Sequence, residues 1–179
     1  MKKIVLTFGL ISGAIVSSMF MITMPLYKSG ALDMGNGAII GYSTMVISLS
    51  MIFFGVKSYR DRHLAGVITF GKALKVGLMI AGVAALCYAV SWEIYFNNFY
   101  PDFMDQYSEM CVTKAKSDGA SGAELQKVMD QVATTREIYK NPALRFGMTI
   151  MEILPVGIVI ALISAALLRK RPGGLPQIR

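Results

Sequence analysis

Two apolar runs without a single charged residue, 37–56 and 76–92, decide what this chain can become. Between them stands Gly55-Val56-Lys57-Ser58-Tyr59-Arg60-Asp61-Arg62-His63, a short and strongly basic break. Roughly twenty apolar residues make a helix long enough for a hydrocarbon core about 30 Å thick. Lys and Arg resist translocation, so the connection 57–75 is expected on the cytoplasmic side, and that one assignment sets the sidedness of everything else.

Composition agrees. A hydrophobic share of 54% and a mean hydropathy of +0.53 are too apolar for a soluble domain of 179 residues. The net charge of +7 would suit a nucleic-acid binder, but its placement argues against one. Eleven Lys and Arg fall on the expected inner side against one acid, Asp61, whereas the outer side carries seven basic residues and eight acids. The basicity therefore reads as topology, with attraction to anionic lipid headgroups as its by-product. Cys87 falls in mid-span and Cys111 in the outer segment, so no disulfide framework is expected.

Taken in order, the chain predicts four spans at about 4–27, 37–56, 73–96 and 143–168. The first is too long for a signal-peptide core and ends without a small-residue cleavage site. Gly9, Gly13 and Ser17 recur every four residues, and Gly77, Ala81, Ala85 and Ala89 repeat the pattern in span three. Such stripes let helices approach closely in lipid. Span three ends in Tyr88, Trp92, Tyr95, Phe96, Phe99 and Tyr100, an aromatic belt of the kind found at headgroup level. Pro101 closes it, and 102–140 turns polar. There Asp102 and a Ser121/Glu124 capping box introduce two amphipathic helices joined at Asp118-Gly119, an αα-hairpin outside the membrane. Phe103, Tyr107, Leu125 and Val128 form its inward faces. The tail 172–179, rich in Pro and Gly, is expected to be disordered. The expected fold is all-α: a four-transmembrane-helix bundle with an extracytoplasmic hairpin between spans three and four, both termini cytoplasmic.

Several motifs fail on inspection. Gly66 to Ala73 fits G-x-x-x-x-G-K, but Ala73 stands where a phosphate loop needs Ser or Thr, and no buried strand precedes it. No H-E-x-x-H and no Gly-x-Ser-x-Gly occur, and one histidine, His63, does not make a zinc site. No catalytic residue, metal or cofactor is assigned.

Further stretches carry a resemblance. They are Phe54-Gly55-Val56-Lys57-Ser58-Tyr59-Arg60-Asp61, Thr69-Phe70-Gly71-Lys72-Ala73-Leu74-Lys75-Val76-Gly77, Trp92-Glu93 and Phe103-Met104. Met148-Thr149-Ile150-Met151-Glu152-Ile153-Leu154-Pro155-Val156-Gly157 and Leu162-Ile163-Ser164-Ala165-Ala166-Leu167-Leu168-Arg169 follow. Together they resemble a bacterial family of four-span integral membrane proteins catalogued as a domain of unknown function. The resemblance implies a protein of the bacterial cytoplasmic membrane and supplies no activity or ligand.

The sharp signal is a pair of intramembrane acids. Glu93 lies 18 residues beyond Lys75 and Glu152 lies 17 before Arg169. At 1.5 Å per residue both are expected at one level, about 26–27 Å from the cytoplasmic anchors. Arg145, seven residues before Glu152, shares its face. A carboxylate in lipid normally faces a partner or water. Two readings stay open: an ion-pair clasp between spans three and four, or a small polar site of Glu93, Glu152 and Arg145 walled by Tyr42, Tyr88 and Trp92. Lys57, Arg60 and Arg62 are expected to meet lipid headgroups or serve only as anchors. The leading expectation is a non-enzymatic accessory or assembly protein, in a homo-oligomer or with a membrane-protein partner. The alternatives are a small transporter, channel or ligand sensor, and a membrane enzyme without a recognisable motif.

Overall fold

The computed structural model describes residues 1–29, 32 and 37–170, with the side chains of Phe20, Tyr27, Lys28 and Ala38 excepted. Most of the outer loop expected before residue 37, and the tail expected at 172–179, fall outside them. The described chain is helical throughout apart from short connections and one isolated bridge. Its elements are α1 (Lys2–Lys28), α2 (Gly37–Leu49), α3 (Met51–His63), α4 (Phe70–Phe99), α5 (Phe103–Ser117), α6 (Ala123–Lys140) and α7 (Pro142–Leu168). α1, α2 with α3, α4 and α7 are the four stretches long and apolar enough to cross a membrane.

Two expectations about local structure change. The basic break is largely helix, because α3 continues to His63 with Arg60, Arg62 and His63 in its last turn. Cations there oppose the negative end of the helix dipole, so the basic residues prolong the helix. The second span instead breaks higher up, at Ser50. Its hydroxyl donates to the Ile47 carbonyl at 2.6 Å, and its amide is shared between Val46 and Ile47. This tightening separates α2 from α3.

The capping box does not form. Gly122, at φ 54°, takes the cap position of α6, and the Glu124 amide meets the Ser121 carbonyl. Asp102 precedes α5 but caps it with its carbonyl, not its side chain. Asn141 does cap: its side chain accepts from the amides of Ala143 and Leu144, and Pro142 follows at the first helical position.

α4 is the central helix, packed along α1 on one side and α7 on the other, with α3 touching all three. The small-residue stripes make both seams. A Cβ on Gly9 would meet Val83, one on Gly13 would meet Cys87, and α1 sits against α4 through these gaps. On the other side a Cβ on Gly77 would come within 2.9 Å of Ala161, and one on Gly157 within 2.9 Å of Ala81. Between the seams Leu49, Ile52, Val56, Ile80, Ala84 and Ile153 are buried. A hydroxyl clasp adds to this between α1 and α2. Ser48 donates to the Ser12 carbonyl at 2.6 Å and Ser12 to the Ser48 carbonyl at 2.9 Å. Outward, Leu6, Leu10, Ile39, Ile47, Met151, Val159 and Leu167 stand exposed, a coat suited to acyl chains.

The register of α4 on α7 follows from the end of the bundle where α4 begins and α7 finishes. The amide of Ile68 bonds the Lys170 carbonyl at 3.2 Å, and the Lys170 amide returns to Ile68 at 2.9 Å. Arg60 reaches the Leu168 carbonyl beside them at 3.5 Å. The decoy segment is thus a connector: Gly66 has φ 81°, and Thr69 caps α4 by accepting from the Lys72 amide.

Candidate functional site

Counting from that bridge corrects the depth of the two acids. Glu93 lies 25 residues beyond Ile68, and Arg145 lies 25 before Lys170. Tyr88 lies 20 beyond Ile68, and Glu152 lies 18 before Lys170. The antiparallel pair therefore sets Glu93 opposite Arg145 and Tyr88 opposite Glu152, in two layers. Lys75 and Arg169 are poor common origins, because Lys75 already stands within α4, beyond the bridge level.

The outer layer is closed. Arg145 is 4% exposed. Its Nε donates to Glu93 Oε1 at 2.8 Å and its Nη2 to Oε2 at 2.5 Å, a bidentate pair. Nη1 donates to the Tyr139 carbonyl at 2.8 Å, and the guanidinium lies 4.1 Å over the Phe96 ring. Asn97 donates to Glu93 Oε2 at 3.3 Å. Every edge of the guanidinium is engaged, so one side chain ties α4, α6 and α7 together. Such a pair has little capacity left for a ligand.

The inner layer is open. A cavity of about 290 Å³ is lined by Tyr88, Trp92, Phe103, Tyr107, Tyr139 and Glu152, with Met24, Thr135, Met148 and Thr149. A second, of about 440 Å³, shares Met24, Tyr88, Phe103, Tyr107 and Glu152 with it. This one extends along α1 and α2 past Val16, Met19, Ile40, Tyr42 and Met45, and reaches Lys114 on α5. The space exists because α2 makes little contact with α4, while α5 and α6 cross the end of the bundle where α4 finishes and α7 begins. Tyr88 points its hydroxyl at Glu152 Oε2 across 3.5 Å. Among the described residues no ion pair is formed by Glu152.

An aromatic cluster holds the roof. Phe103 meets Trp92 edge-on at 5.0 Å and stacks on Tyr139 at 5.6 Å, and Phe96 meets Tyr139 at 5.7 Å. Arg136 of α6 pairs with Asp105 of α5 at 2.7 Å, so the two helices run back along each other. Leu125 and Val128 are half-buried, as are Phe103 and Tyr107. Burial raises the Tyr139 phenol to about 12, helped by the nearby Glu152 charge and Tyr107, with Arg145 opposing. Burial also raises Tyr100 and Tyr107.

The site residues read from the sequence thus divide. Glu93 and Arg145 form the clasp, whereas Glu152, Tyr88, Trp92 and Tyr42 line the cavities. Phe103, Tyr107 and Tyr139 were not among them; their helical spacing was legible, but not their meeting with Trp92. On the basic end, Arg60 pairs with Asp61 at 2.7 Å, while Lys57 and Arg62 are exposed. Among the described residues no three His, Cys, Asp or Glu side chains gather as a metal site would require.

Four apolar helices long enough to cross a membrane, with an acid-bearing aromatic cavity at one end, define a small helical membrane protein. The chain belongs to the family described as protein of unknown function (DUF4199), whose model matches residues 7–170. No curated protein and no solved structure matches it.

Proposed function

We propose that this protein is a non-enzymatic ligand-binding component of the bacterial cytoplasmic membrane, a sensor or carrier that takes a cationic group at Glu152. Both termini and the 57–75 segment lie in the cytoplasm, and α5 with α6 lies outside. The observation that carries the ligand reading is the contrast between the acids. Glu93 has a bidentate arginine, while Glu152 faces a cavity with a tyrosine hydroxyl at 3.5 Å. A carboxylate kept at membrane depth with no basic partner among the described residues is costly, which favours a functional reason for it.

The assembly reading rested on small-residue stripes and amphipathic helices. Gly9, Gly13, Gly77 and Gly157 are already used in seams within the chain, and Phe103 and Tyr107 pack on the bundle end. That leaves assembly with less support than ligand binding.

The single tryptophan of the chain, Trp92, lines the cavity and supplies the test. Its emission in the purified full-length protein should change saturably with at least one of sodium, potassium, magnesium or an organic ammonium ion. Glu152→Gln should abolish that change while leaving the melting temperature close to the parent's. A Trp92 response to none of these, or an equal response in the variant, overturns the reading. Topology is tested by a periplasm-dependent reporter: activity near Gly119 and silence at the C-terminus are expected, and the reverse refutes the orientation.

A further inference from the structure

We infer that the cavity ligand is an amphiphilic organic ammonium ion, its cationic head at Glu152 among aromatic rings and its apolar body along α1 and α2. The inference rests on the Glu152 cavity being a binding site and specifies what enters it.

The lining argues for the head. A hard inorganic cation such as calcium takes six to eight oxygen ligands, and magnesium about six. Among the described residues the smaller cavity offers, beside Glu152, only hydroxyls for an ion, from Tyr88, Tyr107, Thr135, Tyr139 and Thr149, set among rings and two methionines. The Thr149 hydroxyl is already committed as donor to the Arg145 carbonyl at 2.9 Å. One carboxylate with the rings of Tyr88, Trp92, Phe103, Tyr107 and Tyr139 is a poor shell for a hard ion. It is a good one for a diffuse cation, which binds ring faces and keeps little hydration.

The body follows from the larger chamber. Its volume of about 440 Å³ falls within the range of small-molecule sites. Away from Glu152 its walls include Val16, Met19, Ile40 and Met45, with Tyr42 and with Thr23 and Thr44, whose hydroxyls donate to the Met19 and Ile40 carbonyls of their own helices. Among the described residues the charged groups facing the two chambers are Glu152 and Lys114, and no ion pair joins them. Lys114 is exposed and lies eleven residues from Phe103, about 16 Å along α5. It therefore repels a cation from its own end and leaves the Glu152 end for the head. The same head chemistry occurs in a free amphiphilic amine and in a zwitterionic lipid headgroup.

The test uses the full chain in phosphatidylglycerol nanodiscs, whose headgroups carry no amine, with Trp92 emission as the readout. Benzyltrimethylammonium is the probe, and its uncharged isostere neopentylbenzene is the control. Saturable binding of the cation is expected, weaker by about tenfold or more in Glu152→Gln and for the neutral isostere, as loss of a charge-assisted contact implies. Tyr88→Leu should weaken it about three- to tenfold and Tyr88→Phe by less than about twofold, because the ring face is what matters. Lys114→Gln should bind the cation slightly tighter, because a like charge is removed from the far end of the chamber. Replacing phosphatidylglycerol with phosphatidylcholine separates the sources: competition assigns the site to lipid headgroups, and its absence to a free amphiphile, each in keeping with an ammonium ligand. A Glu152-dependent response to sodium, potassium or magnesium without one to benzyltrimethylammonium overturns the ammonium assignment and leaves the binding site standing. Equal binding of the isostere, or lost binding in Lys114→Gln, also overturns it. Silence to every cation removes the site itself.

Discussion

Glu93 and Glu152 are the same side chain on facing helices, and the bundle treats them in opposite ways. Glu93 is locked by Arg145 into a bidentate pair roofed by Phe96 and joined to the end of α6. Glu152, two turns inward of Arg145 on the same helix, opens on a chamber walled by rings. The difference teaches that an intramembrane acid is not a site by its presence. Whether it is structural or available depends on which layer of the neighbouring helix it meets.

The largest expected effect comes from breaking the closed layer. Arg145→Met strands Glu93, and Glu93→Gln strands Arg145. Removing one partner of a buried pair costs about 3–5 kcal/mol, read as a lower melting temperature in detergent. The double variant should recover most of that loss, and a double variant as unstable as the singles would mean the pair is not the clasp. Next is the seam that sets the layers. Gly157→Ala pushes a methyl toward Ala81 and should cost about 1–3 kcal/mol as overpacking. If it instead melts like the parent, α4 and α7 sit farther apart than the register of the acids requires.

Ser48→Ala removes the reciprocal bonds to Ser12 and is expected to cost about 0.6–1.7 kcal/mol, as membrane hydrogen bonds do. Glu152→Gln should change stability by less than about 1 kcal/mol, because among the described residues it strands no buried cation. A drop as large as that of Glu93→Gln would erase the contrast between the acids. The smallest effect is a titration. Tyr139 is held at about 12, above the ordinary tyrosine value of 10.0. A raised phenol pKa contributes stability that is present below about pH 10 and lost as pH climbs toward 12. Ultraviolet titration should place Tyr139 slightly lower in Glu152→Gln, since the Glu152 charge is one cause of the shift. An unchanged or higher value would mean the two do not face each other.

Much of the fold was legible because the period and length of apolar runs are local properties. The four spans, the small-residue seams and the stop at Gly119 all follow from residue types within a few positions. Cap choice was less legible: Gly122 displaced Ser121 because a residue free to take positive φ lay one place further on.

The sequence by itself determined that this chain is helical, that it has four membrane-length helices and that Glu93, Glu152 and Arg145 lie on two of them. Only the tertiary structure decided who pairs with whom. That depended on the end of the bundle where Ile68 meets Lys170 and fixes the sliding of α4 on α7. A shift of about one turn, about 5.4 Å, would carry Glu93 out of line with Arg145 and break the pair. No local pattern encodes that offset, because it comes from the packing of glycines and alanines between helices far apart in the chain.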